Sequence, residues 1–238
     1  MIFTHSFESG LADINNEKKV KNKSLLTYLE NIAGLHADSV KNGLYDIIET
    51  GFTWVILEWK MQVIDRPAYG EKLDVHTWAR NSGKFYCYRD FEVYCGGALK
   101  VIASSKWMSV YIKNLRPMRI TDELISKYMP EPDKNVFGIE EFEKMKEQPA
   151  YDTQAACPVR RTDIDINGHV HNLVYLDMAY ELLEGAEPDF VEISYKKELH
   201  YGDDARVLCR RDGESAFVAI KTEAGTSAVL NVKYSKQI

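Results

Sequence analysis

Tyr69-Gly70-Glu71-Lys72-Leu73-Asp74-Val75 is echoed later in the chain by Tyr201-Gly202-Asp203-Asp204-Ala205-Arg206-Val207. Each copy reads as a turn that leads into a strand. Before the first copy, residues 54–64 alternate: Val55, Leu57, Trp59, Met61 and Val63 are predicted on one face, with Glu58, Lys60 and Gln62 on the other. After it come strand candidates at 72–80, 84–95 and 98–112, separated by Asn-Ser-Gly and Gly-Gly turn signals. A short strand candidate at 2–8 and an amphipathic helix from about Ser24 precede them. Leu25, Leu29, Ile32 and His36 follow helical spacing, Ser24 can cap the start and Gly43 can end it.

The surroundings of the second copy repeat this order. A short strand is predicted at 153–161 and a helix at about 172–184, with Leu173, Leu176, Tyr180 and Leu183 on one side. Strands are predicted at 190–201, 205–211, 216–222 and 227–235. Between the two sets, Pro117, Pro130, Pro132 and Pro149 break the rhythm, with a charged helical piece expected near 140–147. The organisation is therefore a first half at 1–112, a crossover at 113–150 and a second half at 151–238. Turns this short cannot join parallel strands. One helix packed on an antiparallel sheet, twice, is an α+β architecture of tandem hot-dog halves, a double hot-dog.

Composition narrows the function. The 238 residues are 45% hydrophobic, enough for a substantial core, and the net charge of −6 excludes bulk nucleic-acid or membrane-surface binding, which reward a basic surface. Basic pairs such as Arg160-Arg161, Lys196-Lys197 and Arg210-Arg211 read as solvated strand ends that could still meet an acidic partner. Residues 1–14 have neither the basic start nor the apolar run of a signal peptide, and no stretch is long and apolar enough for a membrane span. Cys87, Cys95, Cys157 and Cys209 are scattered without CxxC spacing, so neither a zinc ribbon nor a disulfide framework is expected, and the setting is read as cytoplasmic.

One segment concentrates chemistry: Arg161-Thr162-Asp163-Ile164-Asp165-Ile166-Asn167-Gly168-His169-Val170-His171-Asn172. Three readings compete. Asp163, Asp165, Asn167 and Gly168 match the opening of a calcium loop, but its twelfth position is Val174 and no helix enters it. His169 and His171 could hold a transition metal, although no third ligand has useful spacing. Thirdly, a carboxylate, an amide and an imidazole before a helix start could perform acid–base hydrolysis, with free backbone N–H groups receiving an oxyanion. A plain helix cap by Asp165 or Asn167 stands beside that third reading.

The run Arg161-x-Asp163-Ile-Asp165-Ile-Asn167-Gly168-His169-Val170-x-Asn172-x-x-Tyr175 resembles the signature of acyl-acyl carrier protein thioesterases. The likeness extends to Trp54-Val55, Ile64-Asp65-Arg66-Pro67-x-Tyr69-Gly70-Glu71, Thr77-Trp78, Ser82-Gly83-Lys84, Arg89-Asp90, Ser104-Ser105-x-Trp107 and Arg116-Pro117-x-Arg119-Ile120. The resemblance implies a hydrolase that releases fatty acid from acyl carrier protein, with Asp165, Asn167, His169 and Glu198 in its site and neither cofactor nor metal. Glu198 comes from Tyr195-Lys196-Lys197-Glu198, which is similar to a Tyr-basic-basic-Glu strand of that family. Many relatives carry Cys after that Glu, where this chain has Leu199, so covalent cysteine catalysis is not expected. The usual Asn after the motif His is His171, which is expected to face solvent.

The repeat can be carried into the site. Aligning Leu26-Thr27-Tyr28-Leu29-Glu30 with Leu173-Val174-Tyr175-Leu176-Asp177 places Lys18, Val20 and Asn22 opposite Asp165, Asn167 and His169. The Tyr-Gly turns place Arg66 opposite Glu198. The first half is thus expected to be chemically blank. Mechanistically, Glu198 or Asp165 would act as general base with His169 as proton partner, Asn167 positioning water or carbonyl, and N–H groups near Gly168 taking the oxyanion. An apolar channel lined by Trp54, Trp59 and Phe52 would take the chain. Hydrolysis of acyl-coenzyme A and non-catalytic acyl binding are the rival readings. The doubled chain supplies a two-half unit by itself, and a further homodimer is an expectation.

Overall fold

The computed structural model describes residues 1–234, so Ser235, the end of the last strand candidate, lies outside the described residues. The chain divides into two compact units, Met1–Phe142 and Glu143–Ile238.

The first unit holds β1 (Phe3–Glu8), α1 (Asn22–Ser39), α2 (Ile47–Thr50), β2 (Phe52–Val63), β3 (Lys72–Ser82), β4 (Tyr86–Cys95), β5 (Ala98–Tyr111) and α3 (Asp122–Ser126). Its strands pair antiparallel in the order β1-β3-β4-β5-β2. The second unit holds β6 (Thr153–Pro158), α4 (Val174–Tyr180), β7 (Phe190–Tyr195), β8 (Asp204–Asp212), β9 (Ser215–Thr222) and β10 (Gly225–Lys233). Its order is β6-β8-β9-β10-β7. Strand for strand, the two orders are the same, and each sheet carries a helix, α1 against β3 and α4 against β9. This is the double hot-dog read from the sequence. The echoed turns agree in detail. Gly70 and Gly202 both have positive φ, and Glu71 accepts from the Ala68 N–H at 2.7 Å as Asp203 accepts from the His200 N–H at 2.8 Å.

Leu25, Leu29, Ile32 and His36 are all essentially buried, as the helical spacing requires. Burying each of the three aliphatic side chains stabilises the unit by roughly 1.5–3 kcal/mol. Ser24 is not the cap: α1 begins two residues earlier, after Lys21. Its C-terminal cap is Val40, and Gly43 instead opens a 3-10 turn in which its N–H donates to Asp46 at 3.0 Å. On β2 the alternation is broken by a bulge between Ile56 and Glu58, which buries Ile56 and leaves Val55 and Leu57 only half-buried. One extra residue exchanges the two faces. Trp59, Met61 and Val63, beyond the bulge, face the core as predicted, Trp59 with its ring 5.4 Å from Phe91.

The predicted helix near 140–147 does not form. A helical turn occurs earlier, at α3, where the Thr121 hydroxyl accepts from the Leu124 N–H at 3.2 Å. Residues 131–142 run as a series of turns and irregular chain that the first unit holds: Glu131 N–H donates to Ala79 O, Trp78 Nε1 to Lys134 O, and Phe142 is buried against Tyr88. A helix at 140–147 would have to give up the burial of Phe142, which the few tenths of a kcal/mol from a pair such as Glu140–Lys144 do not offset. The second-half helix is also shorter than predicted, starting at Val174 and ending at Tyr180.

Candidate active site

The site is built on a tight turn in the second unit. Asp163 fixes its base: buried, it accepts from the Arg160 N–H at 2.8 Å and from that guanidinium at 2.8–3.2 Å. Ile164 and Val170 then form a bridge, closed by Asp165 N–H to His169 O at 2.8 Å and His171 N–H to Asp163 O at 2.9 Å. Gly168 stands at φ +81°, the left-handed region that favours glycine. Inside the turn one oxygen of Asp165 accepts the N–H groups of Asn167 and His169 at 2.8 and 3.3 Å, and the other accepts the Asn167 amide at 3.2 Å.

This geometry disposes of two readings. The carboxylates of Asp163 and Asp165 are turned onto the turn's own donors, so they do not frame a calcium ion. Nor does the motif sit at a helix start: α4 begins at Val174, and the N–H groups of Asn167, Gly168 and His169 are already bonded to Asp165. The oxyanion donors expected near Gly168 are therefore occupied. His171 does not simply face solvent; it is half-buried, with Nδ1 accepting the Leu173 N–H at 3.3 Å.

Glu198 is not on a strand, since β7 ends at Tyr195. Its segment is tied to the turn by Val170 N–H donating to Leu199 O at 2.8 Å and by Tyr175, whose oxygen accepts the Leu199 N–H at 3.0 Å. Burial pushes the Tyr175 phenol up to about 12, so it stays protonated. Tyr195 donates to Asn172 O at 2.9 Å and packs edge-on against Tyr175. So held, Glu198 places Oε2 3.4 Å from His169 Nε2, with its side chain 56% exposed and that of His169 27%. The structure thus brings together all four sequence-predicted residues and adds three others. Tyr175 and Tyr195 were visible only as letters in the motifs. His200, whose ring meets that of His169 edge-on at 4.9 Å, had no sequence signal, because it reaches the turn only through the Val170–Leu199 contact.

The hydrogen bonds also correct the alignment of the halves. In the first unit, Asn15 accepts the N–H groups of Glu17 and Lys19, both at 3.0 Å, as Asp165 does those of Asn167 and His169. Asn15, Glu17 and Lys19 are the counterparts, and the helix-based alignment is displaced by three residues. Arg66 remains opposite Glu198, since Val20 N–H donates to Pro67 O as Val170 N–H does to Leu199 O.

The first unit also contains a largely apolar cavity of about 300 Å³, whose walls include Ala33, Ala37, Ile47, Trp54 and Ile125. Of the aromatics expected to line a channel, Trp54 does so; Trp59 and Phe52 are buried in the core.

Residues 1–128 match the family model of the acyl-ACP thioesterase N-terminal domain, and residues 146–237 that of the acyl-ACP thioesterase C-terminal domain. The chain belongs to the acyl-ACP thioesterase family. This family member is 22% identical over 213 residues to an oleoyl-acyl carrier protein thioesterase of Coriandrum sativum, covering 80% of the chain and 58% of that protein. It is 25% identical over 205 residues to a palmitoyl-acyl carrier protein thioesterase of Cuphea hookeriana, covering 81% and 48%. The chain spans about half the length of the curated relatives it matches. Its fold is that of an acyl-ACP thioesterase from Bacteroides thetaiotaomicron, with a TM-score of 0.88 at 23% identity over 98% of both chains. The 12:0-ACP thioesterase of Umbellularia californica gives 0.83 at 17% identity over 98% of this chain and 97% of that one. Among the described residues, no helix is long and apolar enough to cross a membrane.

Proposed function

We propose that this acyl-ACP thioesterase family member hydrolyses the thioester of fatty acyl-acyl carrier protein, releasing free fatty acid and the carrier's thiol. Water adds to the carbonyl carbon as Glu198 takes its proton; the C–S bond then breaks and His169 supplies a proton to the departing sulfur. The observation that carries this reading is the 3.4 Å approach of His169 Nε2 to Glu198 Oε2, a proton-handling pair open to solvent. Asp165 acts by position, since its two oxygens hold the turn and the Asn167 amide. Asn167 keeps a second amide hydrogen for the substrate carbonyl. Water attacks directly and no cysteinyl acyl-enzyme forms beside Glu198, where Leu199 offers no nucleophile. The apolar cavity of the first unit is of a kind that suits a hydrocarbon chain, and four free thiols support the cytoplasmic setting.

The test is fatty acid release from acyl carrier protein loaded with saturated chains of several lengths, beside the matching acyl-coenzyme A series. Turnover favouring the carrier protein is expected. A large preference for coenzyme A would replace the substrate, and tight binding without release from either would replace the enzyme by an acyl-binding protein.

A further inference from the structure

Among the described residues, His169, Glu198 and His200 form a group whose ligand atoms all lie within 4.8 Å of one another. The sequence pairs His169 with His171; the fold pairs it with His200 instead. In a tetrahedral zinc site with bonds of ~2.0–2.2 Å, neighbouring ligand atoms stand about 3.3–3.6 Å apart. His169 Nε2 and Glu198 Oε2, at 3.4 Å, already have that spacing. His200, 56% exposed in its side chain, can close the remaining distance by turning its ring. Its Nδ1 lies 4.0 Å from Asp203, whose carboxylate is itself held by the His200 N–H at 2.8 Å. At 4.0 Å the carboxylate does not hydrogen-bond the ring; it becomes an outer-shell partner for Nδ1, as ligating histidines commonly have, only once the ring turns to present Nε2 to a metal.

We propose that His169, Glu198 and His200 bind one divalent transition-metal ion, of which Zn²⁺ is the reference case, and that its binding switches hydrolysis off. Two imidazoles with one carboxylate select zinc, cobalt or nickel over magnesium and calcium, which require oxygen ligands. The positions are open enough for an ion to enter from solvent. The corresponding positions of the first unit, Lys19, Arg66 and Ala68, offer two cations and a methyl group, so the site is a property of the second unit alone. The inhibitory part rests on the hydrolase reading: a bound ion takes the His169 lone pair and the Glu198 carboxylate, the two groups that move the proton. The binding part stands without it.

The experiment is calorimetric titration of Zn²⁺ into the metal-free full chain, compared with His200→Asn and with Cys157→Ser, which removes a half-buried thiol unrelated to the site. One ion per chain is expected. Affinity should fall at least about 10–100-fold in His200→Asn, the loss that even an outer-shell partner can cause, and be kept in Cys157→Ser. Fatty acid release should then fall in step with occupancy, recover with a chelator, and need correspondingly more zinc in His200→Asn, each rate taken relative to the same protein without metal. Zinc affinity indifferent to His200 would overturn the site. Undiminished turnover with the site filled would overturn the switch. A chain that releases no fatty acid under any condition defeats the hydrolase reading and the switch with it, while the calorimetry still decides the site.

Discussion

The turns at Asn15–Lys19 and Asp165–His169 have one backbone and two chemistries. In each, an Asx side chain accepts the N–H groups two and four residues on. In each, the next valine donates to the strand-end segment, to Pro67 O or Leu199 O at 2.8 Å. Yet Asp165, Asn167, His169 and Glu198 face a counterpart set of Asn15, Glu17, Lys19 and Arg66. The Arg66 guanidinium bonds Val20 O at 3.0 Å and Asn22 Oδ1 at 2.8 Å, tying the helix start to the strand end. Among the described residues, Glu198 meets an imidazole instead. The comparison separates what the turn needs, an Asx acceptor and a positive-φ residue, from what it carries in the second half only. A group present in both turns is structural; a group in one is a candidate for chemistry.

The sharpest way to break that division is Glu198→Gln. If the carboxylate carries the reaction, turnover on acyl carrier protein substrate falls more than ~100-fold, the lower end of general-base contributions. The midpoint of thermal unfolding should not move, because an exposed side chain is replaced by one of the same shape. Turnover within a few-fold of the parent would return Glu198 to the surface and the base to another group.

Asp165 gives a finer cut. Asp165→Asn copies the first half, where a neutral Asn15 holds the same two N–H groups. A neutral acceptor forfeits roughly 1 kcal/mol against a charged one, so turnover should drop less than about tenfold. Asp165→Ala leaves both donors to water and should lose more activity together with roughly 1 kcal/mol of stability, read by chemical denaturation. Equal, hundredfold losses in Asn and Ala variants would make Asp165 the base.

The repeat and the antiparallel strands were legible because each is written locally, in alternation and turn residues; the four candidate residues came from the family resemblance, since spacing alone suited Asp165 and Asn167 equally to a helix cap. What was not legible depends on distant contacts. The bulge that exchanges the faces of β2 at Ile56 falls in Trp54-Val55-Ile56-Leu57, four apolar residues in a row, where alternation gives no register and either face could be the buried one. The end of β7 at Tyr195, which frees Glu198 from a strand, is set by Tyr175 and Val170 holding the segment beyond it. His200 joins His169 for the same reason. The failed helix near 140–147 was a charge pattern overruled by the burial of Phe142.

The units also differ in a buried histidine. His36 in α1 is fully buried, with Nδ1 3.0 Å from an Arg89 nitrogen; burial, then the Arg89 charge, lowers its pKa to about 3. It is neutral when folded but takes a proton near pH 6.5 when unfolded. The unfolded state therefore binds more protons between about pH 6.5 and 3. This contribution is full above that window and is lost as pH falls through it, by at most about 1.4 kcal/mol per pH unit. His36→Gln keeps an acceptor for Arg89 without titrating. Denaturation at pH 7 and pH 5 should show the parent losing more stability than the variant, and equal losses would refute the assignment.

The smallest effect tests the frame itself. Where the second turn has Gly168 at φ +81°, the first has Lys18 at φ +60°, a conformation disfavoured by about 1–2 kcal/mol for a residue with a Cβ. Lys18→Gly relieves that strain but adds freedom to the unfolded chain, which offsets about 0.5–1 kcal/mol of the gain. The net expectation is a stabilisation of up to about 1 kcal/mol, seen as a small rise in denaturation midpoint. Gly168→Lys, the reverse exchange, should destabilise by a similar amount. It should also lower turnover, because His169 and Asn167 are aimed by the turn that Gly168 closes. If Lys18→Gly were destabilising while Gly168→Lys left both stability and turnover unchanged, the two turns would not share a backbone requirement, and the residue-by-residue comparison of the halves would lose its basis.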